Sequence, residues 1–126
     1  MSEPKRRVLL IDDEAAILKI MGRLLQLSGF EVVTSPDGED GLAKAQTGHP
    51  DVVVLDLMLP KMNGYDVCAT LKRDQATKTI PIVIFTAGGQ QQEPRCRELG
   101  ADAFFNKTDP ASELIALLKS MLHVAE

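Results

Sequence analysis

The segment Val52-Val53-Val54-Leu55-Asp56 carries the clearest structural signal in the chain. Four consecutive apolar residues, three of them β-branched, are typical of a strand that is buried on both faces of a parallel sheet. Asp56 ends this strand, and a loop that contains a proline and a glycine, residues 57–64, follows it. In open α/β sheets, ligands and reactive groups lie at the carboxyl ends of the strands. The sequence therefore predicts that the Asp56 carboxylate faces a functional crevice.

On either side of this segment, apolar strand-like runs alternate with helical segments about five times. Residues 8–11 form a second run of the same kind, and it ends in Asp12 and Asp13. Because right-handed crossovers place helices over a parallel sheet, the alternation predicts an α/β fold with a doubly wound five-stranded parallel sheet and helices on both faces. The expected strands cover residues 8–11, 30–34, 52–55, 80–85 and 103–105, and the clearest helical patterns cover residues 17–25, 64–73 and 114–122.

Local chemistry predicts where three helices begin or end. Ser28-Gly29 closes the first helix. Asp109-Pro110 supplies a capping residue and a proline at the first position of the last helix. Residues 88–94 have no apolar periodicity, and proline is tolerated only at a helix start. We therefore expect a loop as far as residue 92 or 93, then a short fourth helix that ends at Gly100.

Length and composition fit one globular domain. The chain has 126 residues, of which 44% are hydrophobic and 25% charged, and its net charge is −4. This acidic balance argues against a nucleic-acid binder, which needs a basic surface. No apolar run approaches the roughly 20 residues that span a bilayer, and the N-terminus lacks the apolar core of a signal peptide. We expect a cytoplasmic protein with no membrane insertion and no nucleic-acid partner.

The two cysteines are too few for a disulfide framework. Cys68 lies beside Val67 and Leu71 in an amphipathic segment, so we expect a small core residue. Cys96 lies in a polar stretch, and we expect it to be partly exposed. Neither has a nearby Cys or His at ligand spacing, which favours structural roles for both.

Polar residues at the carboxyl ends of four strands form the candidate site. The first strand supplies Asp12 and Asp13, the third Asp56, the fourth Thr86 and the fifth Lys107. Carboxylates, neutral oxygens and water are the ligands that Mg²⁺ prefers. The convergence of three carboxylates on one edge of the sheet therefore predicts a site for a divalent cation, with Asp13 and Asp56 as carboxylate ligands.

The same residues suit phosphoryl transfer. A carboxylate can be the nucleophile, which gives an aspartyl-phosphate. Asp56 is the predicted nucleophile because it ends the central strand, between the other acids and Lys107. Lys107 can offset the charge of the phosphoryl group, and Thr86 can donate a hydrogen bond to one of its oxygens. The backbone carbonyl of Met58, just past the strand, is placed to give the cation a neutral ligand.

Over about residues 5–122, the chain resembles the receiver domain of two-component response regulators. Each motif alone is weak, but five motifs in this order at family-like separations are specific. The motifs that carry the resemblance are Asp12-Asp13, Asp56 with Pro60 and Gly64, Thr86-Ala87, Gly100-Ala101-Asp102, and Lys107.

The resemblance implies a flavodoxin-like fold with strand order 2-1-3-4-5. It also implies that residues 1–126 form a single receiver domain with no output domain. A sensor histidine kinase or a phosphotransfer protein would pass a phosphoryl group to Asp56, with Mg²⁺ required. The chain would be a signalling phosphoacceptor rather than an enzyme. A downstream effector protein would dock on the fourth helix, the fifth strand and the fifth helix.

The resemblance assigns a role to each site residue. Asp56 is the phosphoacceptor, and Thr86 and Lys107 contact the phosphoryl group. Phe104 occupies the aromatic switch position, and it is expected to turn inward when Thr86 moves toward the phosphate. The implied metal ligands are Asp12 through a water molecule, Asp13, Asp56 and the carbonyl of Met58.

The chain departs from the family pattern beside the site. Thr108 follows Lys107 where the family usually has proline, often with a cis bond. A cis bond costs about 2.5–4 kcal/mol before a non-proline residue, against roughly 0.5–1 before proline, so we predict a trans bond here. Met58 and Gly88 lack the polar side chains that are common at their positions. We therefore expect slow or kinase-dependent loss of the phosphoryl group.

Three other functions are open on the sequence. A pseudo-receiver, an interaction module not controlled by phosphorylation, is favoured by Thr108 and by a shortened fourth-helix region, and opposed by the complete acidic set with Lys107. A phosphatase of the haloacid-dehalogenase type would need a second Asp two residues after its nucleophile, where this chain has Met58. A flavodoxin is disfavoured because Asp12-Asp13 lies in the loop that would bind the FMN phosphate.

Overall fold

The computed structural model describes residues 5–88 and 90–124, which form a five-stranded sheet with helices on both faces. The strands are parallel and follow the predicted order, β2-β1-β3-β4-β5. Each predicted strand boundary lies within two residues of the observed one. In chain order the elements are β1 (Arg7–Ile11), α1 (Ala15–Leu27), β2 (Glu31–Ser35), α2 (Gly38–Gly48), β3 (Val52–Leu55), α3 (Gly64–Arg73), β4 (Ile82–Thr86), a 3₁₀ turn (Gln90–Gln92), α4 (Glu93–Glu98), β5 (Ala103–Asn106) and α5 (Ala111–Met121).

β3 lies at the centre of the sheet, between β1 and β4. All four of its residues are fully buried, because helices cover both faces of the sheet. This is the environment that a β-branched run predicts. The register sets Leu55 beside Ile11 on one side and Ile84 on the other. The carboxyl ends of the three strands therefore lie level, and Asp12 and Asp56 follow directly from two of them.

The side chains of the sheet divide between two hydrophobic clusters. One cluster lies under α1 and α5, which contribute Leu25 and Leu114. The other lies under α2, α3 and α4, which contribute Ala45, Val67 and Cys96. Helices thus cover both faces, as predicted. Burial of these apolar side chains is the main favourable contribution to the folding free energy.

Local chemistry sets several helix ends. The side chain of Asp37 accepts a hydrogen bond from the N–H of Asp40 at the start of α2. Asn63 does the same for the N–H of Asp66 at the start of α3. Such caps satisfy donors that lack a partner within the helix. α1 ends before Ser28-Gly29, as predicted, and the φ of 100° at Gly29 is in the left-handed region that glycine tolerates.

The helices are short. The longest, α1, has 13 residues, and α4 has six. Within residues 5–88 and 90–124, no helix combines the length and the apolar character that a membrane-spanning segment needs.

The predicted cap of α5 is wrong. Pro110, not Asp109, is the capping residue, and the helix begins at Ala111 without a side-chain cap. The carboxylate of Asp109 instead accepts a hydrogen bond of 2.9 Å from the backbone N–H of Asn106. Asp109 therefore stabilises the turn after β5 rather than the helix that follows.

The fourth helix has the predicted length. A 3₁₀ turn fills part of the expected loop, and α4 then runs from Glu93 to Glu98, with Pro94 in its first turn. Proline is tolerated there because the first N–H groups of a helix have no partner within it. Gly100 has a φ of 104° and follows the end of the helix, as predicted.

The prediction for Cys68 is confirmed, and the prediction for Cys96 is wrong. Both residues are 1% exposed. Cys96 packs into the cluster under α2, α3 and α4, while its neighbours Arg95 and Arg97 face solvent. Because its neighbours are polar, the sequence did not indicate that this one position of a short amphipathic helix is buried. Burial raises the pKa of Cys68 to about 11, and it also raises the pKa of Cys96.

We predict that neither thiol is alkylated in the folded protein at about pH 8.5, the ordinary thiol pKa, whereas both react after denaturation. Because the folded-state pKa of Cys68 lies above the unfolded value of 9.0, its neutral thiol stabilises the fold below about pH 9, and this stabilisation is lost as the pH rises through about 11. Mass spectrometry after iodoacetamide treatment measures the first effect. Equal labelling rates with and without denaturant would contradict the prediction that folding protects the two thiols.

At Gly64 there is no room for a side chain. A Cβ there would collide with the carbonyl oxygen of Asp56 and with Cα of Leu57, which are backbone atoms at the end of β3. We predict that Gly64→Ala lowers the free energy of unfolding by about 1–3 kcal/mol, as overpacking does. Gly48→Ala is the matched control, because nothing lies within 4 Å of its added Cβ. Urea denaturation that gave equal midpoints for the two variants would refute this.

Candidate functional site

Three carboxylates meet at the carboxyl edge of the sheet, as predicted. Asp12 and Asp13 follow β1, and Asp56 follows β3. Each offers an oxygen, and these oxygens all lie within 4.8 Å of one another. Asp12 and Asp56 are buried, whereas Asp13 is exposed. Two of the three acids are thus fixed by the sheet, and the third lies at the solvent side of the group.

Asp12 carries the least satisfied carboxylate. Its Oδ1 accepts a hydrogen bond of 2.9 Å from the N–H of Glu14. Its Oδ2 is buried and lacks a hydrogen-bond partner, although the ammonium of Lys107 lies 2.8 Å away as an ion pair. Burial raises the pKa of Asp12, and these contacts offset only part of the effect. An added positive charge beside Oδ2 would therefore be stabilising.

Asp56 is held by the end of its own strand and by the loop after it. Its backbone N–H donates to the carbonyl of Ile11, 3.0 Å away. Its Oδ1 accepts a weak hydrogen bond, 3.3 Å long, from the N–H of Met58, and its Oδ2 accepts one of 3.0 Å from Lys107. The side chain of Met58 is 70% exposed and makes the rim of the site apolar.

Lys107 joins the site from the end of β5. Its Nζ lies 2.8 Å from Asp12 Oδ2, 2.7 Å from Glu14 Oε1 and 3.0 Å from Asp56 Oδ2. Burial alone would lower the pKa of Lys107, but the bonds to the three carboxylates outweigh it and raise the pKa. The side chain therefore carries a positive charge at neutral pH.

Thr86 supplies a free donor. It is fully buried at the end of β4, and its Oγ1 has no hydrogen-bond partner within residues 5–88 and 90–124. Its carbonyl accepts a hydrogen bond of 2.9 Å from the N–H of Lys107, which ties the two residues together. A buried hydroxyl without a partner costs about 1–3 kcal/mol, so it indicates a place where a ligand oxygen is expected.

Phe104 lies in β5, paired with Ile84. It is partly buried, and its side chain packs against the cluster under α2, α3 and α4. Its strand is the neighbour of β4, which ends at Thr86. The switch role of Phe104 and the inward turn of its ring stay predictions.

The turn after Lys107 is built from side-chain hydrogen bonds. The Lys107–Thr108 bond is trans, as predicted. The N–H and Oγ1 of Thr108 both donate to Asn106 Oδ1, at 2.9 and 2.8 Å. The amide of Asn106 also donates to the carbonyl of Gly88, 2.7 Å away. Asn106 thus links the turn to the loop after β4.

Sequence reasoning missed Glu14 and Asn106. Glu14 is the shortest contact of Lys107, yet the two residues are 93 positions apart. The only signal for Glu14 was its place directly after two acidic residues. Asn106 precedes Lys107, and no pattern in the sequence distinguished it. Glu14 contacts the ammonium of Lys107 directly, whereas Asn106 fixes the turn that follows Lys107.

The residues present fit a divalent cation. Three carboxylate oxygens within reach of one another, one of them buried without a hydrogen bond, form a hard, oxygen-only donor set. The free hydroxyl of Thr86 lies at the end of β4, next to β3. The ammonium of Lys107 comes from the residue after β5, the next strand in the sheet. The group can therefore bind a cation and an anionic ligand side by side.

Known proteins share this fold and this sequence pattern. RpaA, a DNA-binding dual master transcriptional regulator of Synechocystis, is 38% identical over 117 residues, which are 92% of this chain and 48% of that protein. The chain spans about half the length of the curated relatives that it matches. The chemotaxis response regulator CheY4 of Vibrio cholerae is 28% identical, with a TM-score of 0.87 over 94% of this chain and all of the other.

Another neighbour has the same fold and a metal in its cleft. The receiver domain of the sensor histidine kinase PA1611 from Pseudomonas aeruginosa was solved with a magnesium ion coordinated in the active site cleft. It is 21% identical, with a TM-score of 0.87 that covers 95% of this chain and 99% of the other. The profile of the response regulator receiver domain matches residues 8–119. The chain therefore belongs to the response regulator receiver domains of two-component signalling.

Proposed function

We propose that Asp56 accepts a phosphoryl group from the phosphohistidine of a sensor histidine kinase or a phosphotransfer protein. One observation carries the proposal: Asp56 has a carboxylate oxygen within 4.8 Å of two further carboxylates and accepts a hydrogen bond from the Lys107 ammonium, and the strand next to β3 ends at the buried hydroxyl of Thr86. A nucleophile, a charge-neutralising group and a free donor are the parts that phosphoryl transfer needs.

In the proposed step, a carboxylate oxygen of Asp56 attacks phosphorus in line with the P–N bond of the phosphohistidine. The O–P bond forms as the P–N bond breaks, and the electron pair stays on the imidazole nitrogen, which water protonates. The transition state is loose, so the site contributes mainly position and charge. The Lys107 ammonium forms an ion pair with one phosphoryl oxygen, and the hydroxyl of Thr86 donates a hydrogen bond to another.

Mg²⁺ is the cation that we assign to the acidic group. Asp13, Asp56 and the Met58 carbonyl would bind it, with Asp12 acting through a water molecule. Its chemistry there is to neutralise charge on the phosphoryl oxygens. The oxygen-only donor set supports this choice over softer metals, which prefer sulfur and nitrogen ligands. The magnesium ion in the cleft of the PA1611 receiver domain supports it as well.

Output is proposed to pass to an effector protein through the face formed by α4, β5 and α5. The site would be coupled to this face through Thr86 and Phe104, which lie on the neighbouring strands β4 and β5. The chain spans about half the length of relatives such as RpaA, so the proposal concerns this domain and not the output of a whole protein.

A pseudo-receiver, which is not controlled by phosphorylation, would not need the acidic residues of this site. Burial raises the pKa of Asp12 despite its ion pair with Lys107, and the buried hydroxyl of Thr86 lacks a hydrogen-bond partner among the described residues. Such features are expected where a ligand restores the missing contacts. They support a phosphorylated receiver rather than an interaction module.

We predict that acetyl phosphate with Mg²⁺ adds one phosphoryl group to the protein, and that Asp56→Asn abolishes this because the amide is not a nucleophile. Intact-mass spectrometry detects the product. Asp66→Asn, at an exposed position in the first turn of α3, is the control and should be labelled like the wild type. No labelling of the wild type would favour the pseudo-receiver, and continued release of phosphate from unrelated esters would favour the phosphatase.

We also predict that the aspartyl-phosphate is long-lived, because Met58 has an apolar side chain and Gly88 has none, so neither can orient an attacking water. Met58→Asn and Gly88→Glu should each shorten its half-life severalfold. The atoms nearest to an added Cβ at Gly88 belong to the flexible side chain of Gln92, which can move aside. The half-life is measured by the loss of the phosphorylated mass after removal of the donor. Unchanged half-lives in both variants would remove the basis of this prediction.

A further inference from the structure

Glu14 occupies a helix-cap position without acting as a cap. It precedes the first residue of α1, and its side chain makes no capping hydrogen bond. Glutamate is a poor cap, because Asn, Asp, Ser and Thr are preferred there. Instead its carboxylate reaches Lys107, 93 residues along the chain, at 2.7 Å. This contact is shorter than those from Lys107 to Asp12 and Asp56.

The three carboxylates around Lys107 differ in exposure. The side chains of Asp12 and Asp56 are 1% and 3% exposed, whereas that of Glu14 is 57% exposed. The Lys107 ammonium donates one hydrogen bond to Glu14, at the solvent side of the pocket, and one to the buried Asp56. Its contact with the buried Asp12 is an ion pair of 2.8 Å.

A cation and the Lys107 ammonium draw on the same carboxylates. Asp12 Oδ2 and Asp56 Oδ2 are both within 3.0 Å of Nζ, and both carboxylates belong to the acidic group that fits a metal. A cation in this group repels the nearby ammonium, because both are positively charged. A third carboxylate at the rim gives it a partner to move toward.

We propose that Glu14 is a positioning residue for Lys107, which draws the ammonium toward the rim and thereby keeps Asp12 and Asp56 available to a divalent cation. The inference rests on the proposed cation site, but not on phosphoryl transfer to Asp56. Without the Glu14 carboxylate, the ammonium is held by the two buried acids alone, and a cation displaces it less easily.

The test is the Mg²⁺ affinity, measured by titration of ¹⁵N-labelled protein. Glu14→Gln should raise the Kd for Mg²⁺ about two- to fivefold, the range that corresponds to one partly exposed charged contact. Glu93→Gln is the control, since it removes an exposed carboxylate from an ion pair with Arg97 and leaves the site unchanged. Its Kd should equal that of the wild type.

A double-mutant cycle separates positioning from charge. If Glu14 acts through Lys107, then Glu14→Gln has little effect on the Kd in a Lys107→Met background. If it acts only through its own negative charge, the same fold-change is found in both backgrounds, and the proposal is overturned. An unchanged Kd in the single variant also overturns it.

A spectroscopic measurement covers the case in which Lys107→Met does not fold. The ¹⁵N resonance of the Lys107 ammonium, recorded without metal, should shift in Glu14→Gln and stay in place in Glu93→Gln. An unshifted resonance would refute the contact on which the proposal depends. Because neither measurement involves a phosphodonor, failure of Asp56 to be phosphorylated would leave their outcome readable.

Discussion

The pairing of Lys107 with buried carboxylates is the interaction on which the site depends. Asp12 and Asp56 lie at the ends of strands whose other residues form an apolar core. A buried charge is costly unless it is paired, and removing one partner of such a pair leaves the other uncompensated. The lysine comes from β5, which lies two strands away from β3. The site therefore exists only when the whole sheet is assembled in register.

The site departs from the rules that the core obeys. In the sheet, apolar side chains alternate cleanly between the two clusters. At the carboxyl edge, by contrast, Asp12 Oδ2 and Thr86 Oγ1 are buried without hydrogen bonds. Such exceptions are expected at functional sites, where a ligand completes the contacts.

The sequence was informative where a signal is local and failed where it depends on packing. The strands and their acidic ends follow from short apolar runs, and Gly29 and Gly100 mark helix ends by their own backbone preference. Cys96 was misjudged because its burial depends on packing against α3 rather than on its polar neighbours. The role of Glu14 depends on a contact between distant residues, which no periodicity encodes.

The turn at Thr108 explains how the lysine keeps its place without the usual proline. Proline has no N–H, so it could not make the bond that Thr108 makes to Asn106 Oδ1. With a trans bond and two side-chain donors to Asn106, the turn is fixed by hydrogen bonds instead of by a ring. The backbone N–H of Lys107 still reaches the carbonyl of Thr86, and its ammonium still reaches Asp56. The site requires the position of the Lys107 charge, and a turn held by Thr108 provides that position as well as a turn held by proline would.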